Sequence, residues 1–522
     1  MVRRKGRVAV IGAGIGGLAA ALDLSARGLD VVVLERAAAP GGKMREVAVG
    51  DARLDAGPTV FTMRWVFEEL FDAAGADFSD HLTLEPAAVL ARHAWTDGSR
   101  LDLFADAARS ADAIGAFAGP AEARGFRAFC ERARRVYRAL EGPFIRAPRP
   151  NPVSLAAAAG PSGLAGLMGA SPFTTLWRAL GDHFRDPRLR QLFGRYATYC
   201  GSSPFQAPAT LMLVAHVEQE GVWLVRGGMH RLARAMQTVA ERRGAAFRYG
   251  AEVSEILVES GRTAGVALAD GERIEADAVV VNADAAAVAA GLFGPAARGS
   301  VPRADRRDRS LSALTWATLA EAEGFPLSRH TVFFSGDYAA EFDDLFGRNR
   351  LPGSPTTYIC AQDRGAGEGD SAPPGTGPER LLCLVNAPPA GDGNPPSPAE
   401  IERCETATFR LLERCGLTLR RRETVVTGPA DWERLFPATG GALYGRASHG
   451  WAASFARPAA RTALPGLYLA GGSAHPGAGV PMAALSGRLT ASSIVADWTK
   501  ATTRASTARS RATATLGGIW TR

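Results

Sequence analysis

The sequence predicts an α/β fold with two domains or more, and three observations carry that expectation. The chain has 522 residues, too many for one ordinary core. Its first 35 residues read as a strand, a glycine-rich turn, a helix and a second strand. Near the other end, an apolar run from Gly466 to Ala470 passes into a second glycine-rich loop and then a helical pattern. A hydrophobic fraction of 46% suits a globular chain with a large core.

The run from Arg7 to Ile11 is apolar enough for a buried strand. It leads directly into G-A-G-I-G-G, which is GxGxxG. Gly12 permits the tight turn, Gly14 lets a pyrophosphate approach the backbone, and Gly17 lets the helix pack on the strand. The helix stops at Gly28, and the second strand ends at Glu35. The helix N-terminus offers N–H groups and a positive dipole end to phosphates. Glu35 is placed to accept hydrogen bonds from a ribose diol. With both strands, the helix and the acid in order, the unit is a dinucleotide site. Pro40, Gly41, Gly42 and Lys43 follow, a glycine pair and a cation that add backbone and charge contacts to phosphates. Asp55, Gly57, Pro58 and Thr59 come next, and no clear further βαβ units of a nicotinamide domain continue the pattern.

Residues 250–284 alternate like strands, with a turn at Glu259, Ser260 and Gly261. In the late loop Gly471, Gly472, Gly477 and Gly479 stand among His475, Pro476 and Pro481, ahead of the helical pattern from Met482. Glycine allows close approach and left-handed backbone, and it costs chain entropy, so the cluster calls for a ligand or a forced turn.

Arg3, Arg4, Lys5 and Arg7 crowd one end, and Lys500, Arg504, Arg509, Arg511 and Arg522 lie in a tail without acids. Without these nine, the net charge of +7 becomes −2, so the basic balance does not describe a nucleic-acid groove. Basic ends suit an anionic membrane surface or plain solvent. The six cysteines show no CxxC and no His/Cys metal spacing, which predicts free thiols in a reducing cytoplasm and no metal. The N-terminal run is not a signal peptide, given its glycines and Asp23. No stretch of about 20 apolar residues free of helix breakers predicts a membrane-spanning helix. Residues 150–177 carry no charge and are broken by Pro152, Gly160, Pro161, Gly163 and Pro172. They suit short helices dipping into one leaflet, or a buried helical pair under a lid. The stretches 364–379 and 388–398 are Gly/Pro-rich surface loops.

Taken together, E-R-x-x-x-P-G-G-K (35–43), D-x-G-P-T (55–59) and H-P-G-x-G-V-P (475–481) resemble the phytoene-desaturase-type carotenoid desaturases of the FAD amine-oxidase-like superfamily. The resemblance spans nearly the whole chain. Residues 216–236 are most similar to the bacterial branch acting on 1-hydroxycarotenoids at C3–C4.

That resemblance implies a Rossmann-like FAD-binding domain, discontinuous over 1–90, 225–300 and 455–500. It also implies a mixed-sheet and helical substrate and membrane-associating domain over 91–224 and 301–454. The composition of 501–522, rich in Ser, Thr, Ala and Arg and without an acid, separately predicts a disordered basic tail. It places Val253 against the adenine, and Pro58, Thr59, Ala283 and Asp284 near the cofactor. Gly471, Gly472, Gly477, Val480, Pro481 and Met482 fall on the flavin side. Lys43 stands where the family commonly has arginine, which keeps the charge but not the bidentate fork. The implied substrate is an acyclic carotenoid with a 1-hydroxy or 1-methoxy end, taken from the photosynthetic inner membrane by a peripherally attached enzyme; the alternatives are a phytoene or neurosporene desaturase acting on the plain hydrocarbon, a redox-neutral flavin carotenoid isomerase, and an FAD-containing carotenoid-binding protein. A CH–CH unit has no acidic proton, so its dehydrogenation needs an electron sink, which a flavin supplies. The final electron acceptor is not legible. His475, His216, Glu218 and Glu220 are candidates for the proton acceptor. Period-2 spacing would put the last three on one face of a strand, whereas a helix would spread them. Tyr196, Thr198, Tyr199 and Ser202 are polar candidates for contact with a substrate hydroxyl.

Overall fold

The structure, a computed structural model, describes residues 6–155, 157, 173–365 and 377–517. A five-stranded sheet holds the glycine-rich turns. Its order is Leu467–Leu469, Ala278–Val281, Arg7–Ile11, Asp30–Glu35 and Ala246–Tyr249. Every neighbouring pair is parallel. A parallel sheet must be covered on both faces, which is why its strands read as near-continuous apolar runs. Val8, Val10, Val31 and Val33 pack under helices Ile15–Ala26, His230–Arg242 and Val480–Gly517. Ala9, Ile11, Val32 and Val279 face the opposite way, onto the antiparallel strands Val253–Glu259, Arg262–Leu268 and Arg273–Glu275. The turn expected at Glu259–Gly261 is a two-residue hairpin, with left-handed φ at Ser260 and Gly261 and Glu259 opposite Arg262.

A second, seven-stranded sheet runs in the order Leu417–Thr427, Ser312–Gly324, Glu379–Ala387, Thr357–Ala361, His330–Phe333, Val89–Ala94 and Arg100–Phe104. It is mixed: the pair between His330–Phe333 and Val89–Ala94 is parallel and the other pairs are antiparallel. Helix Pro398–Arg414 packs on it through Cys404, Leu411 and Leu412. A helical layer that includes Pro120–Leu140 and Pro187–Gly194 closes a separate core around Phe126, Phe129 and Phe193.

The last helix continues to Gly517, through residues for which the composition predicts a disordered tail. The physical reason is local: 501–516 contain neither proline nor glycine, the residues that most disfavour a helix, and their alanines and arginines are strong helix formers. Among the described residues no helix is long and apolar enough to cross a membrane. Most of the uncharged 150–177 stretch, and of the 364–379 loop, lies outside the described residues.

Candidate functional site

The two glycine-rich turns near the N-terminus touch each other. Gly12 has φ +95° and donates its N–H to the Leu34 carbonyl, which turns the chain from strand into helix. Gly41 donates to the Ala13 carbonyl, and a Cβ on Gly42 would lie 3.2 Å from the Gly14 Cα. The helix cap at Gly14 makes no side-chain hydrogen bond, so the first-turn N–H groups remain for an anion. Glu35 accepts from Ala13 N at 2.7 Å and Ala37 N at 2.8 Å, which holds its carboxylate beside the same turn.

The late glycine loop closes over this cradle. A Cβ on Gly16 would meet the Gly471 Cα and N at 2.7 Å, so the two loops are in backbone contact. Asn282 joins them: its Nδ2 donates to the Ala470 carbonyl at 2.9 Å, and its buried Oδ1 has no partner. An orphaned acceptor between two glycine turns fits a ligand whose N–H or O–H groups reach it. Arg457 fixes the loop from behind, donating to the carbonyls of Tyr444, Gly472 and Arg446.

These turns open into a cavity of about 1630 Å³. That exceeds the roughly 300–1,000 Å³ of a one-ligand pocket, leaving room for a dinucleotide and a second molecule. Of the residues expected at the cofactor, Gly12, Gly14, Glu35, Gly41, Gly42, Lys43, Pro58, Thr59 and Val253 line it. So do Ala283, Asp284, Gly471, Gly472, Gly477, Val480, Pro481 and Met482. Gly17 does not: its missing Cβ lies 2.1 Å from the Gly12 carbonyl oxygen, so it serves the packing of helix on strand. The Lys43 ammonium donates to the Leu443 carbonyl at 2.6 Å and sits 5.3 Å from the Phe436 ring centre. Its burial lowers its pKa, although Asp284 opposes this. Asp284 also caps helix Ala285–Ala290. Asn282 and Arg457 escaped the sequence reading, though an asparagine ending the apolar run V-V-V-N was a signal.

The proton-acceptor candidates separate. His475 sits beside the late loop, but its Nε2 lies 3.0 Å from the Phe144 carbonyl and 2.9 Å from the Ala147 carbonyl. That nitrogen donates, and burial pushes the ring's pKa down to about 4, so His475 is a neutral structural tie. Helix Leu213–Gln219, not a strand, carries His216 and Glu218. His216 turns to Glu220 at 3.3 Å, while Glu218 faces the cavity wall elsewhere. Glu218 accepts from Tyr196 Oη at 2.6 Å and from Tyr199 Oη at 2.8 Å. Tyr199 Oη in turn accepts from Arg195 Nη2 at 2.8 Å. Arg195, Thr198, Tyr199 and Glu218 line the cavity; Tyr196 stands behind them, and Ser202 is fully buried, held by Ser448 N. Around this polar cluster the lining is apolar, with Leu140, Ile145, Leu211, Val214 and Val217.

Pro152, Leu155, Phe173 and Trp451 are also among the residues that line the cavity. Phe173 is 68% exposed and Trp451 46%, with ring centres 5.5 Å apart, and neighbouring Val153 is 78% exposed. Among the described residues no cluster of histidine, cysteine or acids has the form of a metal site, and all six cysteines are free.

Comparison with known proteins agrees with this geometry. The profile of the family described as flavin containing amine oxidoreductase matches residues 15–495. A hydroxyneurosporene desaturase of Rubrivivax gelatinosus is 56% identical, over 99% of this chain and 98% of its own length. One of Cereibacter sphaeroides is 47% identical, over 94% of this chain and 98% of its own. Among solved structures, putrescine oxidase bound to putrescine has a TM-score of 0.57 at 17% identity, covering 94% of this chain and 99% of that one, which speaks for the fold. The chain therefore belongs to the flavin-containing amine oxidoreductase family, whose cofactor is a flavin, and within it stands beside the hydroxyneurosporene desaturases.

Proposed function

We propose that this chain is an FAD-dependent carotenoid desaturase that introduces the C3–C4 double bond into 1-hydroxy or 1-methoxy acyclic carotenoids. The observation that carries the reading is one cavity lined by a double glycine cradle, by apolar side chains with one polar cluster among them, and by the exposed rings of Phe173 and Trp451. The named activity of relatives at 56% and 47% identity supports the substrate class.

We assign the pyrophosphate of FAD to the N–H groups around Gly14, Gly41 and Gly42, its ribose to Glu35 and its adenine to Val253. The ring end is assigned to Pro58, Thr59 and the loop from Gly471 to Met482. We assign the FAD-binding part of the chain to 1–90, 225–300 and 455–500, the segments that contain those residues. When bound, the flavin supplies the two-electron sink that C–H cleavage in an unactivated chain requires. The protein's own part is alignment and exclusion of water. The tunnel walls Leu211, Val214 and Val217 hold a polyene without competing polar contacts, and Phe144 and Phe455, with ring centres 5.5 Å apart, narrow the space beside the late loop. Glu218 is the buried carboxylate best placed to take a proton, since burial raises its pKa while two tyrosine hydroxyls and Arg195 hold its charge.

A carotenoid must come from a bilayer, so the exposed pair Phe173 and Trp451 is assigned to the membrane surface, with the enzyme attached peripherally to the inner membrane. Expression in a host that makes 1-hydroxyneurosporene tests the reading. The expected pigment is two hydrogens lighter with one more conjugated double bond. A pigment of unchanged mass but altered geometry would make this an isomerase, and unchanged pigment with intact flavin would leave a binding protein.

A further inference from the structure

Arg195 is the anomaly of the tunnel. Its guanidinium is enclosed by protein, yet it keeps accessible surface, and that surface faces the cavity. A guanidinium has five N–H donors and no acceptor. One nitrogen donates to Tyr199 Oη, and its carbon lies 5.0 Å from the Tyr199 ring centre. Among the described residues no other side chain or carbonyl accepts from the remaining N–H groups. In the free protein solvent can satisfy them. Once a long hydrocarbon fills the tunnel and displaces solvent, an acceptor must come from the ligand itself, because a buried charged donor left unpaired is costly.

The neighbouring groups define what that acceptor is. The Tyr199 proton goes to Glu218, and so does that of Tyr196, so Glu218 is occupied by two donors. Arg195 and Glu218 neutralise each other through the bridging Tyr199 hydroxyl. An anionic ligand would leave the cluster with a net negative charge in an apolar cavity, whereas a neutral oxygen acceptor leaves it balanced. The cluster also lies toward the end of the cavity assigned above to the flavin ring. Arg195 is close enough to influence Tyr358, whose hydroxyl bonds Thr59 Oγ1 at 2.7 Å, and Tyr444, whose carbonyl shares Arg457 with the late loop. A C1 oxygen is three bonds from C3, about 3–4 Å away, so its recognition has to occur beside the reacting bond.

We infer that Arg195 is the specificity-determining residue of this tunnel: its unpaired guanidinium N–H groups donate to the C1 oxygen of the carotenoid, with Tyr199 and Glu218 holding the guanidinium in place. The inference rests on the desaturase reading above. It has a consequence that a carboxylate receptor would not have. A donor reads only the oxygen lone pairs, so 1-hydroxy and 1-methoxy ends are recognised alike, and the plain hydrocarbon is rejected because it leaves the cation unpaired.

The test uses flavin-loaded protein with 1-hydroxy-, 1-methoxy- and unsubstituted neurosporene in liposomes, reading binding by carotenoid absorption shift and turnover as kcat/KM. Wild type should favour both oxygenated forms by on the order of 100-fold over the hydrocarbon and treat them within tenfold of each other. Arg195→Met should lose that preference: the ratio of kcat/KM for the oxygenated forms to that for the hydrocarbon should fall toward one at unaltered flavin content, any loss that acts through Glu218 being shared by all three substrates and cancelling in the ratio. Equal use of all three by wild type would defeat the substrate reading itself. Preference kept in Arg195→Met would overturn the role of Arg195 while leaving that reading intact. Should Arg195→Met fail to fold, the wild-type series decides: a methoxy form handled like the hydrocarbon means that a proton donated by substrate is being read, and Arg195 is not the receptor.

Discussion

At Gly14 and Gly17 an added side chain has different consequences, although both belong to one motif. On Gly17 a Cβ strikes the Gly12 carbonyl oxygen, which is backbone and cannot yield. Gly17→Ala should therefore destabilise the folded protein by about 2 kcal/mol even without flavin, measured by denaturant unfolding. On Gly14 a Cβ meets only Asn282 Oδ1 at 2.7 Å, a side chain that can shift. Gly14→Val should fold, yet its bulk in the cradle should weaken flavin binding by at least about tenfold, read as flavin per protein after dialysis. A normal flavin ratio in that variant would remove the phosphate assignment. His475 gives a pH prediction. Its pKa is pushed from 6.5 down to about 4 by burial, so its contribution to stability is complete above pH 6.5 and is lost as pH falls toward 4. His475→Gln should lose less of its melting temperature between pH 7.5 and 5 than wild type does. The glycines and Glu35 were legible because spacing alone determines their geometry. The partner of Lys43 was not, because Leu443 stands 400 positions away. Nor was Arg195, since nothing in R-Y-A-T-Y-C says that its side chain points into a tunnel.

The elements that carry the site meet by close backbone approach. Helix Val480–Gly517 crosses helix Ile15–Ala26 at Gly487, where a Cβ would lie 2.3 Å from the Gly16 carbonyl and 2.8 Å from Ala19 Cβ. Gly487→Leu should push the late helix away, costing about 1–3 kcal/mol of stability and weakening flavin retention together, since Gly16, which it strikes, is also in contact with Gly471. Stability and retention moving independently in this variant would mean that the two loops are not one unit. At this scale the βαβ start and the Glu259–Gly261 hairpin could be read directly, because period and turn residues agree. Residues 216–220 could not: H-V-E-Q-E fits both periods, and packing under Tyr137, Tyr196 and Tyr199 settles it as helix. The tail erred the other way, because a basic composition lacking acids was read as disorder although it contains strong helix formers.

For the whole molecule, one cavity is lined by the glycine turns from both ends of the chain and by apolar residues as far apart in sequence as Leu155, Phe173 and Trp451. That arrangement could not be read from the sequence, which shows the uncharged 150–177 stretch but not that the exposed rings of Phe173 and Trp451 stand together in the cavity lining. Replacing both, Phe173→Glu with Trp451→Lys, should weaken binding to liposomes by at least about tenfold while leaving flavin content normal, because a charge resists entry into the acyl layer. Undiminished binding would move the membrane contact elsewhere. The most direct measurement of the central claim is a single-turnover reaction of flavin-loaded wild-type protein with 1-hydroxyneurosporene in liposomes under anaerobic conditions, followed by mass and NMR analysis of the pigment. The account predicts a product lighter by two hydrogens, at most one per flavin, with the new double bond at C3–C4. A new double bond at any other position, or a product of unchanged mass, would contradict it.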